Sequence, residues 1–141
     1  MTRPIKALGE IALRTGRLEA MWEFYAHIVG LEPMARWEDI AFFRIAPGYG
    51  GHTIALALFD EKRPGNAARQ QWEAADVRQT TLHHLAFTID LADFEAERAR
   101  LIGLGQEVRT SEHAWVHWRS LYINDPDGNV VEWVCYDETV G

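Results

Sequence analysis

The stretch Asp125-Pro126-Asp127-Gly128-Asn129-Val130-Val131-Glu132-Trp133-Val134-Cys135-Tyr136 decides how this chain folds. Its opening Asp-Pro-Asp-Gly is turn chemistry, because proline has no N–H for a sheet ladder and glycine accepts backbone angles that other residues avoid. A strand follows, with Val131, Trp133 and Cys135 on one face and Val130, Glu132 and Val134 on the other. Glu132 is thus a carboxylate in an otherwise apolar strand. Burying it unpaired costs several kcal/mol, so the position asks for a cation, a hydrogen-bond donor or a metal, and a structural salt bridge would answer it too.

Working outward, the same plan recurs earlier in the chain. Pro47-Gly48 also leads into a strand, and Val29-Gly30-Leu31 matches Ile102-Gly103-Leu104, an internal repeat of roughly 75 residues. In the first copy, Gly9 to Thr15 alternates as a strand with Ile11 and Leu13 on one face and Glu10, Ala12 and Arg14 on the other. Leu18, Met21, Trp22, Tyr25, Ile28 and Val29 recur at helical spacing, closed by Gly30. Ile40 to Ala46 and Thr53 to Phe59 read as strands around Pro47-Gly-Tyr-Gly-Gly51, with one further short strand as an option. The second copy predicts a strand from His83 to Ile89, a helix from about Asp93 to Ile102, and strands around Val116 to Ile123 and Val130 to Tyr136. Residues 61–80, polar and holding Pro64 and Gly65, read as a linker between modules at about 7–60 and 81–137. The expectation is a single α+β domain over residues 1–141, each module a sheet with a helix on its outer face and the inner face left free.

The whole chain has 141 residues, 48% of them apolar, enough for a proper core. No apolar run approaches a membrane span and the N-terminal residues do not resemble a secretory signal, so a soluble cytoplasmic protein with no membrane partner is expected. The lone Cys135 suits a reducing compartment and reads as a small buried residue. A net charge of −7 with scattered basic residues argues against nucleic acid as a partner.

Strand parity then selects side chains. His84 points with Ala86 and Thr88, away from Leu85, Phe87 and Ile89, which His83 joins. Glu10, His84 and Glu132 fall on inner faces at matching positions of the repeat, and carboxylates with an imidazole suit Fe(II), Mn(II), Zn(II) or Ni(II). Read as one strand, residues 113–121 put His113, Trp115, His117 and Arg119 on one side and Ala114, Val116, Trp118 and Ser120 on the other, either of which could line a cavity. Arg14 and Arg119 are candidates for an anionic group, and Trp115 for an aromatic wall.

Gly9-Glu-Ile-Ala-Leu-Arg, Trp22-Glu-Phe-Tyr, Val29-Gly-Leu, His84-Leu-Ala-Phe and Asp125-Pro-Asp-Gly-Asn-Val-Val-Glu132 together resemble the glyoxalase/bleomycin-resistance/extradiol-dioxygenase (vicinal-oxygen-chelate) superfamily. The resemblance implies two βαβββ modules forming an open, curved mixed sheet, a divalent metal at Glu10, His84 and Glu132, a small-molecule substrate and a homodimer. The family's fourth ligand position would fall at Leu56 or Ala55, neither of which ligates. His113-x7-Leu121-Tyr122-x2-Asp125-Pro126-x-Gly128-x3-Glu132 is similar to the extradiol ring-cleaving signature, which implies Tyr122 bonding a substrate hydroxyl and His113 orienting substrate or moving a proton. Extradiol-like dioxygenase chemistry on Fe(II) or Mn(II) is therefore the leading expectation. Lyase or isomerase chemistry of the glyoxalase kind on Zn(II) or Ni(II), and metal-free binding of the bleomycin-resistance kind, are the alternatives.

Overall fold

A computed structural model describes residues 4–62 and 82–141. The chain divides into two compact units, residues 1–79 and residues 80–141. From residue 63 onward, the linker expected over residues 61–80 lies outside the described residues.

Unit 1 runs β1 (Glu10–Thr15), α1 (Leu18–Glu23), a π-helical stretch (Phe24–Val29), β2 (Glu32–Arg36), β3 (Ile40–Pro47) and β4 (Thr53–Asp60). The sheet order is β1-β4-β3-β2, with β1 parallel to β4 and the other pairs antiparallel. The amphipathic helix read from the sequence widens in its last turn: the Gly30 N–H reaches the Tyr25 carbonyl at 3.1 Å. Gly30 then stops it at φ 86°, a left-handed conformation that costs glycine nothing. Leu13, Leu56, Leu58, Ala41 and Phe43 share the helix-side face and are buried with Met21 and Tyr25, whose ring lies 6.4 Å from that of Phe43. Glu10, Ala12 and Arg14 project from the other face, as their parity requires.

Unit 2 repeats the plan as β5 (His84–Thr88), α2 (Phe94–Gly103), β6 (Arg109–His113), β7 (Trp118–Asn124) and β8 (Val130–Tyr136), in the order β5-β8-β7-β6 with β5 parallel to β8. Both units are thus βαβββ. Each contributes a four-stranded mixed sheet that is open rather than closed, as expected for two such modules. Two corrections fall in unit 2. Strand β6 has no counterpart in the hydropathy pattern, because Arg109-Thr-Ser-Glu-His carries no apolar residue. The single strand read through residues 113–121 is broken by a 3-10 turn at Ala114–Val116, where His117 takes the left-handed φ of 57°. The chain reverses there, so His113 and Arg119 lie on opposite faces of the sheet.

The chain end is pinned to β7 through Asp137, which is buried. Its Oδ1 accepts the Thr139 N–H at 3.0 Å and the Thr139 hydroxyl at 2.7 Å, while Arg119 Nη2 lies 2.9 Å from Oδ2. The Arg119 guanidinium in turn sits 5.7 Å above the Phe94 ring of α2. Bonds from Thr139, with a smaller contribution from Arg119, hold the Asp137 carboxyl below its ordinary range. A carboxylate whose folded pKa is depressed adds stability above its unfolded pKa of about 3.9, and that stability fades as pH falls through the folded value. Urea denaturation of the wild type is therefore expected to show a stability loss below about pH 4 that Asp137→Asn reduces. Identical acid-limb slopes in the two proteins would remove Asp137 from the account. No described helix is long and apolar enough to cross a membrane.

Candidate metal and substrate site

One face of the unit 2 sheet carries α2. The other gathers the side chains with chemistry. Register fixes the rows of that second face: Ala86, Glu132, Tyr122 and Arg109 share one row across β5, β8, β7 and β6, with Val130 and His84 in the row beyond. On the other side, Ser120 and Ser111 stand in the next row, then Trp118 and His113. The alternation read from the sequence for β8 and β5 is the one observed, and Tyr122 is directly opposite Glu132.

The turn that sets this register is built around Asp125. Its Oδ1 accepts the N–H groups of Asp127 and Asn129, each at 2.9 Å, and its Oδ2 accepts the Asn129 side-chain amide at 2.9 Å. Gly128 completes the turn at φ 84°, where a side chain would be strained. Asp125 is itself buried, so those bonds form away from competing water.

Glu132 is buried and His84 is partly open; Nε2 of the imidazole lies 3.2 Å from Oε2 of the carboxylate. Two ligands each about 2.1 Å from one tetrahedral or octahedral ion stand roughly 3 Å apart, so this donor pair fits a divalent metal with N and O ligands. The same distance fits a hydrogen bond from His84 to Glu132. Among the described residues, no group of three or more His, Cys, Asp or Glu gathers around a common point. Glu10, the third ligand expected, opens β1 in unit 1 and is exposed.

On the side of the Glu132 row away from His84, three polar atoms form a triangle that includes Tyr122. The Tyr122 hydroxyl is 2.7 Å from Ser111 Oγ and 3.0 Å from His113 Nε2, and Ser111 Oγ is 3.1 Å from the same nitrogen. The sequence paired His113 with Tyr122 but missed Ser111, which sits on the strand that the hydropathy pattern did not reveal. Ser120, across from Ser111, has a buried hydroxyl with no hydrogen-bond partner among the described residues.

The remaining candidates disperse. Arg119 is on the α2 side, held by Asp137 and 3.6 Å from Glu112. Trp115 is 84% exposed in the turn between β6 and β7. Arg14 is half-buried on Glu10's face of β1. His83, expected among the apolar residues of its strand, instead precedes β5, is exposed and sets its Nδ1 2.7 Å from Nδ1 of His84. Burial pushes the Cys135 thiol up, as does Asp137, which keeps it protonated and a poor nucleophile.

The repeat supplies a comparison inside the molecule. β1 begins at Glu10 as β5 begins at His84, and Ala12 pairs with Ala57, which pairs with Phe42. Ala57 and Phe42 therefore hold in unit 1 the positions that Glu132 and Tyr122 hold in unit 2. By register the unit 1 residue that matches Glu132 is Ala57, next to Leu56 along β4 and fully buried.

With this topology and this site, the chain belongs to the Glyoxalase/Bleomycin resistance protein/Dioxygenase superfamily, whose family model matches residues 7–133. It is similar to a metallothiol transferase FosB of Shouchella clausii, 24% identical over 130 residues, covering 91% of this chain and 79% of that protein. It is also similar to a manganese-dependent 2,3-dihydroxybiphenyl 1,2-dioxygenase of Geobacillus genomosp. 3, 41% identical over 69 residues, or 49% of this chain and 20% of that enzyme. The chain thus spans about a fifth of the dioxygenase's length. Among solved structures, a lactoylglutathione lyase from Agrobacterium tumefaciens superposes with a TM-score of 0.69 at 28% identity, over 94% of this chain and 96% of that one.

Replacing Asp125 by alanine strips the β7–β8 turn of bonds to a charged acceptor. A loss of about 2–4 kcal/mol in unfolding free energy is expected, read by urea denaturation at neutral pH. A loss under about 0.5 kcal/mol, the range of an ordinary surface substitution, would show that the turn holds its register by other means.

Proposed function

We propose that this chain is a metal-dependent enzyme that holds two adjacent oxygens of a small organic substrate, in its most specific form an extradiol-like dioxygenase using Fe(II) or Mn(II). The observation that carries the reading is the approach of His84 Nε2 to Oε2 of Glu132, the residue directly opposite Tyr122. The manganese dependence in the dioxygenase relative's name supports the choice of metal. Glu10 is the proposed third ligand, since it holds in unit 1 the strand position that His84 holds in unit 2.

When bound, a divalent ion supplies positive charge that draws in adjacent oxygens and offsets the negative charge developing on them. The chain's own groups supply the rest. Tyr122 is the proposed hydrogen-bond partner of a substrate hydroxyl. His113, bonded to Tyr122 and Ser111, is the group that holds or returns a proton. The proton count of the triangle gives it two states. With His113 Nε2 bare, the two hydroxyl protons are absorbed inside the triangle and Tyr122 offers a lone pair outward. With Nε2 protonated, one proton is left over and Tyr122 can donate it. The same three side chains can therefore accept a hydroxyl proton and later give one back. Arg14 is the proposed contact for an anionic substituent and Trp115 for an aromatic ring. Arg119, already paired with Asp137, is better suited to holding the fold than to binding substrate.

Likeness to a lactoylglutathione lyase over nearly the whole chain favours a second reading, lyase or isomerase chemistry on Zn(II) or Ni(II) with Glu132 or Glu10 removing a proton.

Elemental analysis of anaerobically purified protein, followed by oxygen uptake with a panel of catechols, separates the readings. Stoichiometric iron or manganese with uptake is the expected result, with metal lost in both His84→Ala and Glu132→Ala. Tyr122→Phe should keep its metal and lose roughly 10- to 100-fold in kcat/KM, the worth of a hydrogen bond to a charged group. Zinc or nickel without uptake would favour the lyase reading. Retention of metal in both ligand variants would sink the assigned site, and a protein that takes up no metal at all would be a binding protein of the bleomycin-resistance kind.

A further inference from the structure

The contact between His83 and His84 joins two ring nitrogens of the same kind, Nδ1 to Nδ1 at 2.7 Å, with the rings nearly perpendicular at 75°. Two bare nitrogens cannot sit that close without repulsion, so one of them carries a proton and donates it to the other. If His83 donates, His84 accepts at Nδ1, keeps its proton on Nε2 and donates it to Glu132 across the 3.2 Å gap. If His84 donates, its Nε2 is bare and aims a lone pair at the same carboxylate. That second arrangement is unfavourable with nothing between them, and it is the one a metal requires, because only a bare imidazole nitrogen ligates.

We propose that His83 is the positioning residue of the metal site: its Nδ1 accepts the His84 Nδ1–H and so holds His84 in the tautomer that presents Nε2 to a metal. The proposal rests on the reading of His84 and Glu132 as ligands. It adds a role for a residue outside the strand, whose ring is free to turn onto its neighbour because no sheet register constrains it.

The exchange balances without changing the charge of either ring. Before metal, His84 carries its proton on Nε2 and His83 on Nδ1. After metal, the His84 Nε2 proton has left to solvent, the shared proton belongs to His84 Nδ1, and exposed His83 has taken a solvent proton on Nε2. Metal binding at His84 is thereby written into the tautomer of His83, a residue that touches no metal.

The test uses Zn(II) as a diamagnetic probe on the full chain. Long-range proton–nitrogen NMR of protein with labelled histidines should show His83 changing from the Nδ1–H to the Nε2–H tautomer as Zn(II) is added. Calorimetry should show the Kd for Zn(II) rising roughly 10- to 100-fold in His83→Ala. His83→Gln, whose side-chain carbonyl can accept the same bond, should recover much of the loss, and melting temperatures should stay together because His83 is exposed. His84→Ala supplies the baseline for any other zinc bound. An unchanged Kd in His83→Ala, or an unchanged His83 tautomer, would overturn the proposal. So would loss of binding as complete as in His84→Ala with no recovery by glutamine, which would make His83 a ligand. If the wild type itself takes no more Zn(II) than His84→Ala, the metal reading fails, and this proposal with it.

Discussion

A carboxylate buried in an apolar strand has to be met by something positive or something that donates, and the organisation of unit 2 follows from meeting that demand at Glu132. Flanked by buried Val131 and Trp133, its side chain is only 8% exposed. Parallel pairing of β5 with β8 brings His84 to one side of it, and antiparallel pairing of β7 brings Tyr122 to the other. The bonds around Asp125 fix where β8 starts relative to β7, and a slip of one residue would turn Glu132 into the α2 side of the sheet. The site is a property of register.

Unit 1 shows the alternative solution to the same row. There the sequence of partners is Ala12, Ala57 and Phe42, with no buried charge and no hydroxyl. Replacing both members of a polar pair by apolar groups of suitable shape is close to neutral for stability, whereas removing one is costly. A duplicated fold can therefore keep chemistry in one copy and discard it cleanly in the other. Unit 1 keeps Glu10 at the strand start and makes the interior of the row apolar.

Most of the fold was legible because strands and helices impose periods on apolar residues. The alternation of Val130 to Cys135 and of His84 to Thr88 assigned both faces of β8 and β5 correctly, and the Leu18-to-Val29 spacing with Gly30 marked the first helix. What stayed hidden lacked apolar content. Strand β6 is held by its edge pairing to β7 and by polar side chains, so no periodicity announced it, and Ser111 was lost with it. The turn at Ala114–Val116 was hidden for a related reason: His117 adopts a left-handed φ without being glycine, and an alternating pattern ran on through it. His83 failed for an opposite reason, since parity was carried one residue past the start of β5, where no ladder enforces it. In unit 1 the sequence pattern pointed to Leu56 or Ala55, while the register match to Glu132 is Ala57, one residue beyond Leu56 and two beyond Ala55.

The central claim is that the answer to Glu132 is a metal shared with His84 and not the imidazole alone. X-ray absorption at the manganese edge, on manganese-loaded wild type and on the His84→Ala variant, tests it most directly. The account predicts oxygen and nitrogen neighbours with the outer-ring scattering of an imidazole in the wild type, and loss of that scattering in the variant. Identical spectra, with the imidazole signature retained or absent in both, would contradict it.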